Sequence, residues 1–553
     1  MRTNKQNGVE ENDQDQDNKD APWAASNKKY FDIHPPVFWP ATILIVTFIT
    51  VTLLVGEPME EVFNSIQQSI SSSAGWFFVL LVNLFLVFML YIGLSRFGDI
   101  RIGGRKAKPE FTTLGWFAML FSAGMGIGII FWSVGEPISH YVSPPYGEPR
   151  TPEAAEHAMN FSFLHWGLHA WGIYALVGLS LAFFAFNRRL PLSIRSVFYP
   201  LIGNRVYGRI GDIIDVVAVL ATLFGLATSL GFGVTQINSG FAYLFGIPND
   251  TATQVTLILL ITLAATGSVI LGIDKGVRFL SEWNLRIAGL FLIFIIIIGP
   301  TLFILDGFVQ NTGNYLQSFF FLSYWTETYQ QGEWQNNWTV FYWSWWISWA
   351  PFVGMFIARV SYGRTIRQFV LGVLIVPSLL TFLWFSAFGG SALFLEINGD
   401  AGIAQAVEED VSTAMFQLLD NFPLSGISSA IGVALVMIFF VTSSDSGSLV
   451  VDSITSGGKT DAPVGQRIFW ALTEGAVAAV LLIGGGLGAL QTATITTGLP
   501  FAVLLVIMCY SLYQGLNNEH EKKVDDEESM RENYHRKLIR HEMKRQGVKE
   551  EVD

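Results

Sequence analysis

The chain has 553 residues, 51% hydrophobic and only 14% charged, with a formal net charge of −12 and a mean hydropathy of +0.42. A water-facing surface needs more charge than that, so the composition excludes a soluble globule and leaves no expectation of a nucleic-acid partner. Apolar runs of about 18 residues or more each suffice for one bilayer crossing, and closed backbone hydrogen bonding inside lipid makes them helices. We read twelve such runs, an all-α polytopic membrane protein.

Residues 1–21 carry Glu10, Glu11, Asp13, Asp15, Asp17 and Asp20 and are too polar to fold alone. No apolar core follows a basic start, so the first span is expected to be kept rather than cleaved. The first two spans, 37–56 and 75–97, hold no ionisable residue until Arg96 and are expected to serve packing.

The third span, 112–135, contains Gly124-Met125-Gly126-Ile127-Gly128. A dinucleotide fingerprint would need glycine at Ile129 and a preceding strand, and has neither. Alternate glycines in a membrane helix permit close packing, or let the helix unwind so that freed carbonyls meet a cation. Unwinding is the expectation here. In the fourth span, 154–186, Trp171 and Tyr174 sit about 60° apart and Trp166 about 80° beyond, forming an aromatic face. His165 and His169 stand at i and i+4 but have no carboxylate or cysteine in their own span, so a hydrogen-bonded structural role is expected rather than a metal site.

The fifth span, 210–245, begins with Asp212 and Asp215, for which Arg205 or Arg209 are the expected partners, and continues through Thr222 and Leu226. The sixth and seventh, 252–273 and 284–305, are apolar and uninformative. Residues 313–328 are too short to cross and too aromatic for water, which fits an interfacial helix.

The eighth span lies within Trp338 to Arg359 and puts Trp343, Trp345, Trp346 and Trp349 inside seven residues. Tyr342, Trp345, Trp346 and Trp349 fall within about 100° of one another on a helix. An interface belt explains Trp334 and Trp338. It does not explain rings near the middle of the run, where clustered π faces can cage a cation at roughly 2 kcal/mol per desolvated ring. The ninth span is 369–396. The tenth, 426–448, carries Phe439 and then Thr442-Ser443-Ser444-Asp445-Ser446. Such hydroxyls often only bond back into their own helix, but four of them beside a carboxylate offer the oxygen ligands a hard cation such as Na⁺ takes. The last spans are 468–486 and 494–513; Cys509, the only cysteine, allows no intrachain disulfide. Beyond them, residues 531–545 can form an amphipathic helix with a basic side for anionic headgroups, or remain a solvated tail.

Loop charges set the orientation. Residues 57–74 contain no Lys or Arg, whereas Arg96, Arg101, Arg105, Lys106 and Lys108 crowd the next loop. The alternation continues through Arg188, Arg189 and Arg195, then Lys275, Arg278 and Arg286, then Arg359, Arg364 and Arg367, then Lys459 and Arg467; the intervening loops hold only Arg150. Lys and Arg stay on the cytoplasmic side, so both termini are expected there. The spans contain no HExxH pair and no serine or cysteine nucleophile motif, so no enzymatic activity is expected.

The Trp343–Arg359 block, the glycines at 124–128 and the Thr442–Gly447 run together resemble the betaine/carnitine/choline transporter family over about residues 35–513. The resemblance implies two inverted five-helix repeats, 112–306 and 336–515. Two peripheral helices in 36–111, an outer interfacial helix in 307–335 and cytoplasmic tails at 1–35 and 516–553 would lie outside them. Carried over by position, Trp166, Trp171, Tyr174 and Trp346 would box a quaternary ammonium beside Gly124, Gly126 and Gly128, with Trp345 and Trp349 on the cytoplasmic exit path. Carbonyls of Met125 and Phe439 with hydroxyls of Thr442 and Ser443 would hold Na⁺ as coupling ion, with no other cofactor. A second sodium site would use Thr222, residue 226 and Phe352, but Leu226 removes a hydroxyl there. The implied function is import of glycine betaine by Na⁺ symport across the bacterial plasma membrane for osmotic protection, in a homotrimer regulated through its C-terminal tail. Choline, carnitine, ectoine or proline transport, including exchange without sodium, is the alternative, and a channel a more distant one.

Overall fold

A computed structural model describes residues 31–124, 126–270, 274–330, 332–399, 401–459 and 463–545. The acidic stretch 1–21 lies outside them. Among the described residues the chain is helical, and its one β-bridge joins Arg101 to Thr365. Seven helices are long and apolar enough to cross a membrane, or nine if each of two bent pairs is one span.

In chain order the main helices are α1 (Pro35–Val55), α2 (Met59–Leu94), α3 (Thr113–Gly124), α4 (Ile127–Val142), α5 (Pro152–Trp166), α6 (Leu168–Ala182) and α7 (Arg209–Phe245). They continue with α8 (Thr251–Ile270), α9 (Asp274–Ile298), α10 (Thr301–Gln317), α11 (Phe319–Tyr324), α12 (Phe341–Val360), α13 (Ile366–Asn398), α14 (Ser425–Thr455) and α15 (Val464–Arg545). Local chemistry fixes several ends. Thr151 caps α5 by accepting from the Ala154 amide at 3.1 Å, with Pro152 in the first turn. Thr365 and Gln368 close a capping box on α13, and Gly246 ends α7 in the left-handed region at φ 67°.

Three boundaries differ from the sequence reading. Helix α2 begins at Met59, so most of the expected 57–74 loop is helical. The segment expected to be interfacial begins at Thr301, where the chain turns by 110° from α9, and it leaves Leu316, Phe320, Phe321 and Tyr324 exposed. Residues 464–545, 82 in all, are helical on both sides of a single break. At 1.5 Å per residue a straight helix of that length would measure about 120 Å, several bilayer thicknesses. Gly485 (φ 160°) and Gly486 (φ 59°) resolve this by breaking it. Before the break α15 follows α1, with Trp470 against Phe38 and Gly484 against Thr52. After it α15 follows α2 back, from Thr492 at Phe63 to Tyr513 at Phe97. The glycine pair therefore reverses the chain, and α15 covers the same depth twice. The helix continues through residues 531–545, which are solvent-exposed where described.

The basic loops converge. Arg101 donates to the Gly363 carbonyl at 2.5 Å, Arg367 pairs with Asp99 at 3.1 Å, and Arg96 and Arg188 reach Asn517 and Glu519. Asp32 meets Lys459 and His34 meets Asp212 at 2.8 Å on this same face, so residue 32 and the start of the C-terminal extension lie together. The expected partners of Asp212 and Asp215 are corrected: both pair with Arg195, at 3.0 and 2.5 Å. Asp215 is fully buried and also accepts from the Ser193 hydroxyl, which a buried carboxylate needs and an exposed Arg205 would not supply.

Candidate binding site

Helix α12 sits at the centre, packed against α6, α7 and α15. Its aromatic face is buried: Tyr342, Trp345, Trp346 and Trp349 are each no more than 3% exposed. Across from it, the α5–α6 junction at Gly167 brings Trp166, Trp171 and Tyr174 to the same depth. Trp166 meets Trp346 edge to face at 4.8 Å, and Tyr174 meets Trp346 at 6.2 Å and Trp171 at 5.6 Å. With Gly124 and Ala170 these four rings line one cavity. Its volume, about 10 Å³ for the centre of a water-sized sphere, admits roughly one water. A trimethylammonium group enters only when the rings separate.

From the box the aromatic face continues as a ladder. Trp345 stacks on Trp346 at 4.7 Å and 15°, Trp349 lies 6.3 Å from both, and Phe352 stacks on Trp349 at 5.9 Å. Because α12 ends at Val360 beside the basic loops, the ladder runs from the box toward that face. Trp345 also meets the box wall Trp166 at 6.2 Å, so of the two rings expected on the exit path only Trp349 lies further along toward that face.

The glycine run does break its helix. The axes on either side differ by 67°, and Gly126 is non-helical. A Cβ on Gly124 would drive into the Trp171 indole, and one on Gly128 would come within 3.0 Å of both Trp166 and Trp345. These two glycines let the backbone approach the rings. Gly126 is different: a Cβ there would stand 3.8 Å from Phe439 and 4.0 Å from the Ser443 hydroxyl, ordinary contact. The break thus faces the hydroxyl run of α14. Met125 lies outside the described residues. Thr442 donates back to the Ile438 carbonyl at 2.9 Å. At the second sodium position Thr222 donates to the Ala218 carbonyl at 2.6 Å, and Leu226 fills the space against Gly447.

One group escaped the sequence reading. Glu136 on α4 is fully buried and sits where His165, Trp166 and Tyr342 meet. Its Oε1 accepts from His165 Nδ1 at 2.7 Å and lies 3.3 Å from His140 Nε2; its Oε2 accepts from Trp166 Nε1 at 2.7 Å and Tyr342 Oη at 2.5 Å. The carboxylate absent from the histidine span comes from the neighbouring helix. The third span as read, 112–135, stops one residue short of it, whereas α4 runs on to Val142 and carries the carboxylate inside. Ligand atoms of Glu136, His140 and His165 lie within 4.8 Å of one another and could meet a metal, but both carboxylate oxygens are already engaged by donors. His165 also bonds Thr339 at 3.0 Å, and His169 reaches Asn83 at 3.2 Å, so the structural role expected of both histidines fits.

A sequence profile described as BCCT, betaine/carnitine/choline family transporter, matches residues 36–521. The chain belongs to this family. A glycine betaine transporter of Acinetobacter baylyi is 45% identical over 498 residues, covering 90% of this chain and 75% of that protein. The glycine betaine transporter OpuD of Bacillus subtilis is 44% identical over 489 residues, covering 88% and 95%. A glycine betaine/proline/choline/ectoine transporter of Vibrio parahaemolyticus is 46% identical over 498 residues, covering 88% of each chain. This BCCT protein is accordingly a multi-pass bacterial membrane transporter and not an enzyme.

Proposed function

We propose that this chain imports glycine betaine by Na⁺ symport as an osmoprotectant. The observation that carries the reading is the enclosure formed by Trp166, Trp171, Tyr174 and Trp346, where rings from three helices meet around one point. A quaternary ammonium has no N–H to donate and is bound by π faces instead. The Tyr174 hydroxyl, without a partner among the described residues, is a donor for the carboxylate of the same solute. Relatives named for glycine betaine favour that solute, while those named also for choline, proline or ectoine keep a broader range as the alternative.

Na⁺ enters at the helix break, between carbonyls freed near Gly126 and the Phe439, Thr442 and Ser443 groups of α14. Binding there braces α3–α4 against α14 and raises the population of the substrate-competent state. Leu226 argues against a second Na⁺ at Thr222 and Phe352. Twelve spans in two inverted repeats, the basic face toward the cytoplasm, a homotrimer and a C-terminal helix read by anionic lipid complete the proposal. Uptake of labelled glycine betaine into transporter-deficient cells, with Na⁺ and osmolality varied independently, tests it. Replacing Na⁺ with K⁺ is expected to abolish concentrative uptake, and unchanged uptake would contradict the coupling.

A further inference from the structure

The buried Glu136 cluster is not needed to close the aromatic box, and burying a carboxylate in the apolar interior is costly unless donors surround it. Here the donors are not distributed at random. Trp166, a wall of the box, gives its indole N–H to Oε2, and Tyr342, which stacks on Trp346 at 5.7 Å, gives its hydroxyl to the same oxygen. His165 gives Nδ1–H to Oε1, and its backbone carbonyl accepts the Trp346 indole at 2.8 Å. The carboxylate therefore reaches both walls of the box, one through a direct bond and one through a single intermediary. An indole N–H can only donate, and with the Tyr342 hydroxyl and His165 Nδ1–H it surrounds the two oxygens with three close donors, the pattern that suits an ionised carboxylate.

Such bonds polarise the ring that donates. Electron density moves from the N–H or O–H into the π system, and in a low-dielectric interior hydrogen-bonded chains strengthen one another. The Trp166 face becomes more attractive to a cation, and the fixed negative charge behind it adds a through-space attraction that lipid and protein screen weakly. Neither effect acts on a neutral group of the same shape. We propose that Glu136 is a specificity-determining residue, a buried anion behind the box that makes it select a cationic head over an uncharged isostere. Glu136 does not line the cavity; it acts through Trp166, Tyr342 and His165.

This inference rests on the box being the solute site, and one comparison separates the two. Glycine betaine and 3,3-dimethylbutanoate differ only in a quaternary nitrogen against a quaternary carbon, so their affinity ratio reads charge and not shape. Binding of both is measured on purified wild-type transporter and on Glu136→Gln. In wild type, glycine betaine is expected to bind far more tightly. In Glu136→Gln its affinity falls about tenfold while that of the isostere stays within about twofold. A variant that weakens both ligands equally, or leaves the ratio unchanged, overturns the inference and leaves Glu136 a packing clamp. A wild type that binds neither removes the box itself. Should Glu136→Gln fail to reach the membrane, Glu136→Asp keeps the charge at altered spacing. It is expected to retain the preference within about threefold even if both affinities fall, and loss of the preference there overturns the inference too.

Discussion

Gly124 and Gly126 are two residues apart, yet the structure gives them opposite duties. A methyl group on Gly124 collides with the Trp171 indole, whereas on Gly126 it meets only ordinary contacts at 3.8 and 4.0 Å. Gly124→Ala is therefore expected to displace Trp171 and weaken glycine betaine binding about tenfold or more, since overpacking typically costs 1–3 kcal/mol. Gly126→Ala is expected to keep solute affinity within about threefold at saturating Na⁺. Equilibrium binding on the two purified variants checks this, and equal losses would show that the break itself, not the ring contact, governs the box. At this scale the aromatic members were legible because helical spacing alone puts Tyr342, Trp345, Trp346 and Trp349 on one face. Glu136 was not, because apart from His140 its partners lie on α5 and α12, and no periodicity within its own helix reports those.

Among the elements, the broken α3–α4 helix was legible as an alternation of glycines, and the reversal of α15 was not. Gly485 and Gly486 stand in an apolar run that reads as the end of one span, and only the neighbours on α1 and α2 show the chain turning back. The pairing of α7 was misread for a related reason. Arg205 and Arg209 are closer in sequence, but Arg195 is brought in by the short helical turns that precede α7 and is itself almost fully buried. Replacing Asp215 with Ala leaves that guanidinium with Asp212 alone, at an expected cost of about 3 kcal/mol. The midpoint of thermal unfolding in detergent should fall by several degrees. Arg205→Ala and Arg209→Ala should leave it within about a degree; a comparable fall in either would restore the pairing first expected.

For the whole molecule, low charge and apolar runs settled a helical membrane protein, and the loops that carry Arg96, Arg101, Arg188, Arg367 and Lys459 gather on one face with residue 32 and the start of the C-terminal extension. What composition could not give was the convergence of α3, α5, α6 and α12 on one enclosure, since that depends on crossing geometry rather than on any single segment. The central claim is that this enclosure is the solute site, with Trp346 as the ring shared between its two sides. It is tested most directly by titrating purified wild-type and Trp346→Leu transporter with glycine betaine at saturating Na⁺. Loss of one desolvated cation–π contact of about 2 kcal/mol predicts about a thirtyfold rise in Kd, with unfolding cooperativity and yield nearly unchanged. Equal affinity in a folded Trp346→Leu protein would contradict the account and return the aromatic face to packing.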